Sequence, residues 1–389
     1  VEHASYDWVA GCDGSKSRVR DEAGIGFTGD RVGVMAMMDV EIENFPFDGS
    51  WVNYFISTNL FMLVTKLPGR YWRVYLSDAG VMTGAENPRE SFQRVADEIG
   101  IGMTIGDPQW ATRWDILNNI ADSYRRGRVL LCGDASHVHS PAGGQGMNGC
   151  MQDAFNLGWK LAAVVNGTAG QDILDSYERE RRPIGEQITA GARATHDIVM
   201  AFGTGLEDRI KITRQPEWQD YSIRLISGLS HNYREAVDVP PGLTPVPGPA
   251  AGERAPDALL TAEPRKRVFD LLRHPRFTLL AAPGDGAAGQ TGVIGKLFDE
   301  IGDRFPGMTA CRVISRGRLD GFDIDSNVTD DTGEFGQRYG IGDDGRLVLV
   351  RPDMYIGLNA AICDAGKVPE YLAQWYAAVG GLAPSRLAG

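Results

Sequence analysis

Between Asp134 and Asn148 the chain gathers an acid, two histidines, a proline and a run of glycines: Asp134, His137, His139, Pro141, Gly143, Gly144 and Gly146. Glycine lets the backbone approach a partner closely, and helical spacing begins directly after this run. The N–H groups from Gly143 to Asn148, with the positive end of the following helix, would point at whatever lies in front. The natural occupant is an anion, or a group that becomes anionic as it reacts. The alternative is a tight strand-to-helix turn with no ligand. His137 and His139 face opposite ways in an extended segment, and no third and fourth ligands stand at helical or hairpin spacing. They are read as hydrogen-bonding groups of the loop, not as a metal site. G-x-S-x-G is absent, so no nucleophile elbow is expected.

The pattern G-x-G-x-x-G occurs at Gly24/Gly26/Gly29, Gly144/Gly146/Gly149, Gly284/Gly286/Gly289 and Gly340/Gly342/Gly345. With 49 glycines in 389 residues, against about 7% in an average protein, the bare pattern says little. A dinucleotide loop needs a strand before it, a helix after it and an acid about twenty residues on. The first, third and fourth copies read as turns. The Gly144 copy has strand, loop and helix in order, but its loop is too long for a dinucleotide crossover.

The elements that position this loop are legible on both sides. Arg128-Val129-Leu130-Leu131-Cys132 is an apolar run of buried-strand length ending at Gly133-Asp134. Met147, Cys150, Met151, Ala154, Leu157, Leu161, Val164 and Val165 recur at three- and four-residue separations, one face of a helix. Upstream, Tyr6 to Gly11 reads as a strand, followed by a turn and a short helix capped by Asp13 or Ser15. Val32–Met37, Trp51–Ile56, Phe61–Val64 and Trp72–Leu76 are aromatic and β-branched runs at turn-length gaps, an antiparallel sheet covered by a helix over Pro88–Ile99. Leu174 to about Phe202 is helical, with Pro183 expected to break or kink it. Pro240, Pro241, Pro245, Pro247, Pro249 and Pro256 mark a linker or wrapping loop. Beyond it, strands at Phe277–Leu280, Cys311–Ile314 and Leu347–Val350 and helices at Gly292–Ile301 and Pro369–Val379 fit a compact α/β unit.

Composition removes other classes. Acids outnumber bases 51 to 39, which argues against a nucleic-acid-binding face. No apolar stretch is long enough to span a membrane. Cys12, Cys132, Cys150, Cys311 and Cys363 contain no C-x-x-C pair, which fits a reducing, cytoplasmic compartment and excludes a paired-cysteine zinc site.

The segment Gly127 to Asn148, with Cys132-Gly133-Asp134-Ala135 and Pro141-Ala142-Gly143-Gly144-Gln145-Gly146-Met147-Asn148 inside it, resembles the "GD" motif of single-component FAD-dependent aromatic hydroxylases. Gln152 to Leu161 continues the likeness. Val9 to Arg20, through Cys12-Asp13-Gly14-Ser15-Lys16-Ser17-Arg18, resembles the family's "DG" motif. The C-terminal part is similar to the thioredoxin-like domain of the phenol- and polyketide-hydroxylase branch, with Arg351-Pro352-Asp353 at a strand end.

The resemblance implies an α/β (α+β) chain: a partial FAD-binding Rossmann-like domain with an inserted antiparallel substrate-binding sheet, then a thioredoxin-like domain. The corresponding ranges are 1–30 and 116–170 for FAD binding, 31–115 for the substrate sheet, 171–237 for a helical segment, 238–256 for the proline-rich linker and 257–389 for the last domain. It implies that Gly133 and Asp134 meet the flavin's ribityl chain. Pro141, Gly143, Gly144, Gln145, Gly146, Met147 and Asn148 would lie along the isoalloxazine, the Pro141 backbone at the reacting ring. Asp13 with Arg18 would serve FAD and transient NAD(P)H. Trp51, Tyr54, Met62 and Trp72 are candidate substrate contacts, with strand alternation turning about half of such residues elsewhere. The implied activity is hydroxylation of a phenolic or polyketide-like aromatic with NAD(P)H and O2 through a flavin C4a-hydroperoxide. The implied partners are a small aromatic and O2, with no nucleic acid and no membrane; a homodimer is compatible. Two alternatives stand beside it: a related flavin oxidoreductase or epoxidase that does not hydroxylate aromatics, and a non-catalytic fragment. The family's domain opens with a strand–G-x-G-x-x-G–helix unit ahead of the DG segment. No copy here takes that place, so the chain reads as part of a longer protein.

Overall fold

The computed structural model describes residues 3–58, 60–77, 81, 87–200, 205–284 and 289–376. The chain forms two compact units, one from residues 1–151 and 185–230, the other from 152–184 and 231–389.

In the first unit, β1 (Val9–Gly11) leads to helix α1 (Arg18–Glu22), whose start is capped by the Ser17 hydroxyl accepting from the Arg20 amide. A long strand, β2 (Phe27–Glu43), follows, then β3 (Asn53–Ile56), β4 (Phe61–Lys66) and β5 (Tyr71–Ser77). Helix α2 (Pro88–Glu98) has Pro88 in its first turn and Asn87 as its cap. Strand β6 (Trp110–Ala121) then pairs with β2 along almost its whole length. The sheet order is β6-β2-β5-β4-β3, with the short strand His137–Val138 outside β6. Strand β7 (Val129–Leu131) lies parallel to β1 in a separate small sheet.

Side chains on strands alternate between faces, and this sheet uses both. Val34, Met38, Met62, Val64, Trp72, Val74 and Leu76 form one core with Phe92, Val95 and Ala96 of α2. Met35, Phe61, Ile116 and Met200 form a smaller cluster, with Leu63, Tyr75 and Trp114 packed against it. Met62 and Trp72, expected as substrate contacts, therefore belong to the helix-covered face. Met62→Ala is expected to cost about 2–5 kcal/mol of stability, as a cavity at a fully buried site, with substrate affinity unmoved. Urea unfolding and substrate titration of the same variant check both halves.

Helix α3 (Gly146–Val165) and helix α4 (Asp175–Val199) each contribute residues to both units. Helix α4 runs through Pro183 without the expected break. Proline removes one N–H from the ladder, but buried Glu180, Arg181, Ile184 and Ile188 anchor the turns on either side. The last two residues expected in this helix, 201 and 202, lie outside the described residues. Helices α5 (Leu206–Thr213) and α6 (Pro216–Ser227) complete the first unit.

The second unit carries a five-stranded mixed sheet with helices on both faces, the α/β unit expected there. Strand β8 (Phe277–Ala282) is central. Helix α7 (Gln290–Arg304) returns the chain to β9 (Thr309–Ser315), which is parallel to β8. Then come β10 (Asn327–Thr329), α8 (Glu334–Tyr339), and the antiparallel β11 (Arg346–Val350) and β12 (Ile356–Ala360), giving the order β10-β9-β8-β11-β12. Helix α9 (Lys367–Leu372) ends sooner than the Pro369–Val379 reading, whose last three residues lie outside the described set, as do Gly286 and its neighbours in the third glycine copy. The proline-rich segment wraps onto this sheet, with Asn359 Nδ2 donating to the carbonyls of Pro247 and Pro249.

One buried polar node in this unit has no precedent in the sequence reading. Glu180 accepts both guanidinium Nη atoms of Arg351 at 2.7 Å, Lys160 Nζ at 2.7 Å and Asn156 Nδ2 at 2.7 Å. Asp353 accepts from Arg351 Nε at 3.1 Å and Nη2 at 2.6 Å, and from the Trp159 indole at 3.4 Å. All four charged side chains are buried, and their charges cancel. Burial alone would raise the Glu180 carboxyl; Arg351 and Lys160 overcome this and hold it at about 2. Arg351 and Asp353, singled out as a strand end, thus tie the α3–α4 segment to the sheet of the second unit.

Candidate functional site

Two residues beyond strand β7 stands Gly133, whose φ of +65° only glycine adopts freely, and whose Cβ would come 3.1 Å from Cys150 on α3. This turn leaves Asp134 exposed, accepting a contact from Cys150 Sγ at 3.3 Å. The chain continues through His137–Val138 on the edge of β6 to Ser140, which caps a one-turn helix over Pro141–Gly143. Gly143 lies flush against α4, a Cβ there falling 2.8 Å from Ala192 Cβ. Gly144 takes φ +63°, and α3 begins at Gly146.

Two cavities meet at this loop. The smaller and more polar of the two, about 340 Å³, is lined by Ser15, Asp134, Val138, His139, Pro141, Gly144, Gly146 and β6 residues Trp114 to Leu117. An apolar one of about 570 Å³ is lined by Met35, Tyr54, Phe61, Leu63 and Tyr75 of the sheet, Pro141, Ala142 and Gly144 of the loop, and Trp218, Leu225 and Ile226 of α6. Pro141 and Gly144 face both.

Beside the carboxylates of Asp115 and Asp134, the more polar cavity offers backbone donors at the start of α3. The first-turn N–H groups of α3, at Gly146, Met147 and Asn148, have no intrahelical acceptor, and the helix dipole adds its positive end. A Cβ at Gly146 would meet nothing within 4 Å, so the approach is open. His139 Nδ1 donates to the Ser140 carbonyl at 3.0 Å, leaving Nε2 as a buried acceptor without a partner among the described residues, at the cavity wall. Burial lowers the pKa of His139, against the pull of that carbonyl, and keeps it neutral. A flavin, planar and able to take up negative charge, suits this donor set.

The family comparison decides whose site this is. A family model described as an FAD binding domain matches residues 2–192. A flavin-dependent monooxygenase of Mycobacteroides abscessus is 31% identical over 382 residues, covering 96% of this chain and 67% of that protein. The chain belongs to the FAD-dependent monooxygenases. Pentachlorophenol 4-monooxygenase of Sphingobium chlorophenolicum is 42% identical over 359 residues, covering 91% of this chain and 66% of that protein. Among solved structures, OxyS anhydrotetracycline hydroxylase from Streptomyces rimosus superposes with a TM-score of 0.67 at 29% identity, covering 95% of this chain and 69% of that one. The chain spans about two thirds of the length of these relatives. Among the described residues no helix is long and apolar enough to cross a membrane.

The monooxygenase loop gathers most of the residues singled out in the sequence, though not always by side chain. Asp134, Pro141, Gly144 and Gly146 line the polar cavity. Met147 is 74% exposed and lies outside the lining of both cavities. Gln145 is buried, its amide Nε2 donating to the Leu225 carbonyl at the end of α6, so its side chain holds α6. Asp13 spends its carboxylate on the Ser17 hydroxyl and the Val19 amide, ordering the start of α1. Arg18 is exposed; the arginine that joins this segment to the loop is Arg20, buried, donating to the carbonyls of Ala135 and Ser15 at 3.1 Å with its guanidinium 3.8 Å from the Phe27 ring centroid. Of the substrate candidates, Tyr54 lines the apolar cavity, Met62 and Trp72 face α2, and Trp51 is 70% exposed outside the lining. The sequence reading missed β6 and α6. Alternation at Trp110, Thr112, Trp114 and Ile116, and the helical spacing of Trp218, Ser222, Leu225 and Ile226, were the available signals.

Proposed function

We propose that this monooxygenase binds FAD in the polar cavity and hydroxylates a phenolic or polyketide-like aromatic in the apolar one, using NAD(P)H and O2. The shared wall carries the reading: Pro141 and Gly144 line a polar cavity on one side and an apolar one on the other. That arrangement sets a cofactor ring and an aromatic substrate on either side of one short loop, which fixes their separation.

Gly133 and Asp134 would hold the ribityl side of the flavin, and the amides of Gly146, Met147 and Asn148 its pyrimidine edge. The bound flavin supplies the redox chemistry and the activation of O2. The chain's own groups position, exclude water and stabilise charge. The first-turn amides of α3 favour negative charge on the ring edge they face. Phe61, Leu63, Trp218 and Ile226 make the substrate side apolar and keep water from it. The reading extends to a cytoplasmic homodimer, which light scattering on the purified protein separates from a monomer.

Purified full-length protein is expected to be yellow, and the right phenol to stimulate NAD(P)H oxidation with a product heavier by one oxygen atom. Colourless protein, or oxidation without oxygen gain, contradicts the proposal. Leu63→Trp fills the apolar cavity, and overpacking of about 1–3 kcal/mol translates to a substrate KM raised about tenfold or more. Flavin content should be unchanged; a matching loss of flavin would mean that the two cavities do not serve separate guests.

A further inference from the structure

The loop between the cavities is held from behind by a side chain that touches neither. His196 of α4 is 6% exposed, and its Nδ1 lies 2.8 Å from Ser140 Oγ. Ser140 is fully buried, and its Oγ accepts the Ala142 N–H at 3.2 Å. Ala142 is the middle residue of the Pro141–Gly143 turn and lines the apolar cavity.

The Ser140 hydroxyl accepts from Ala142, so its own proton is free to be donated. The ring's Nε2 side faces the β2 backbone, where a Cβ on Gly33 would lie 3.9 Å from Nε2. Burial lowers the pKa of His196, opposed by Asp197 and the Val32 backbone. A neutral ring with its proton on Nε2, toward β2, presents a lone pair at Nδ1, and the Ser140 O–H donates to it. Met200 Sδ, 3.9 Å from the same hydroxyl, is the weaker alternative acceptor. The hydroxyl is therefore oriented by His196, and the Ala142 amide by the hydroxyl.

We propose that His196 is a positioning residue: acting through Ser140, it fixes the Pro141–Gly144 wall and so sets the coupling between cofactor oxidation and substrate hydroxylation. The consequence for coupling rests on the proposed function; the consequence for the wall does not. Thr195, Val199 and Met200, neighbours of His196 on α4 and just beyond it, line the apolar cavity. Substrate packed against them presses on the element that carries the relay.

The test separates the two levels. Amide exchange at Ala142 is read in flavin-free full-length protein, and product formed per NAD(P)H consumed is read in the flavin-loaded enzyme. His196→Leu keeps the bulk and removes the acceptor; Ser140→Ala removes the hydroxyl; His196→Asn keeps an acceptor oxygen at the Nδ1 position. Exchange at Ala142 should rise about tenfold in His196→Leu and in Ser140→Ala, with buried amides of α2 unchanged as the folding control. His196→Asn should restore most of the protection, and the double variant should be no worse than either single one. Coupling should follow the same order, with substrate KM moving less than the product yield. Unchanged Ala142 exchange in both single variants, no rescue by asparagine, or additive effects in the double variant would each overturn the relay. A wild-type enzyme that never oxygenates its substrate, with the exchange pattern as predicted, would instead overturn the proposed function and leave the relay standing. If His196→Leu does not fold, Ser140→Ala against Ser140→Thr carries the same comparison.

Discussion

Glu180→Ala should unfold the second unit at markedly lower urea concentration, a loss of about 3–5 kcal/mol. The carboxylate is the acceptor for Arg351, Lys160 and Asn156 at once, in a site shut off from bulk solvent. Its removal leaves two buried cations against the single charge of Asp353. Adding Lys160→Met to the variant restores the charge balance and should recover a substantial part of the loss, as expected for neighbours in one network. The pH dependence has a definite sign. The folded carboxyl is held at about 2, below its ordinary value of 4.5, so the unfolded state binds more protons in between. The contribution of Glu180 is complete above the unfolded value and is lost as pH falls toward the folded one. Acid titration of wild type against Glu180→Gln reads this directly. A loss below about 1 kcal/mol in the alanine variant, the range of exposed ion pairs, would mean that the node does not hold the unit together.

The second large effect is expected at the loop. In Gly143→Val the new Cβ would sit 2.8 Å from Ala192 Cβ and 3.0 Å from Ala192 Cα, both on the rigid helix α4. The loop must lift, which costs about 1–3 kcal/mol as overpacking and displaces the wall common to both cavities. Flavin content after purification should fall about tenfold or more, since a binding loss of about 1.4 kcal/mol already gives that factor. Ala192→Gly in the same chain removes the nearer contact but leaves the Cα, so rescue should be partial. Full flavin retention in Gly143→Val would show that the loop does not need its present seat.

Much of the loop between the two cavities is legible in the sequence because its backbone demands are local. Gly133, Gly143, Gly144 and Gly146 stand where the backbone must turn left-handed, lie on a helix or leave a helix start open, and those demands fall on neighbouring residues. Strand β7, helix α3 and the sheet strands carried patterns strong enough to place them, but Met147, Met151 and Val165 of the expected apolar face of α3 are exposed, and Asp153, Asn156 and Lys160 are buried in the node and ion pairs of the other face. What the sequence hid was long-range. The face of β4 and β5 that meets α2 depends on packing across the sheet, so Met62 and Trp72 could not be separated from Phe61 and Leu63 by alternation alone. Strand β6 mixes charged and polar residues with its aromatics because part of it is exposed, which weakened its pattern. Spacing alone does not distinguish Arg20 from Arg18, because only the fold brings the Ala135 carbonyl to Arg20. The Glu180 node joins residues from helices and a distant strand end, and no spacing announces it. Helix α4 survives Pro183 for the same reason: the partners of Glu180 and Arg181, Arg351 and Tyr233, lie far away in sequence.

The measurement that bears most directly on the shared-wall reading is a crystal structure of the flavin-loaded protein with an aromatic substrate. The tricyclic ring should lie in the cavity of Asp134 and Gly146, its pyrimidine edge toward the amides of Gly146 to Asn148, with the substrate beyond Pro141 among Phe61, Leu63 and Trp218. A ring seated anywhere else, or both guests on the same side of Pro141, would contradict it.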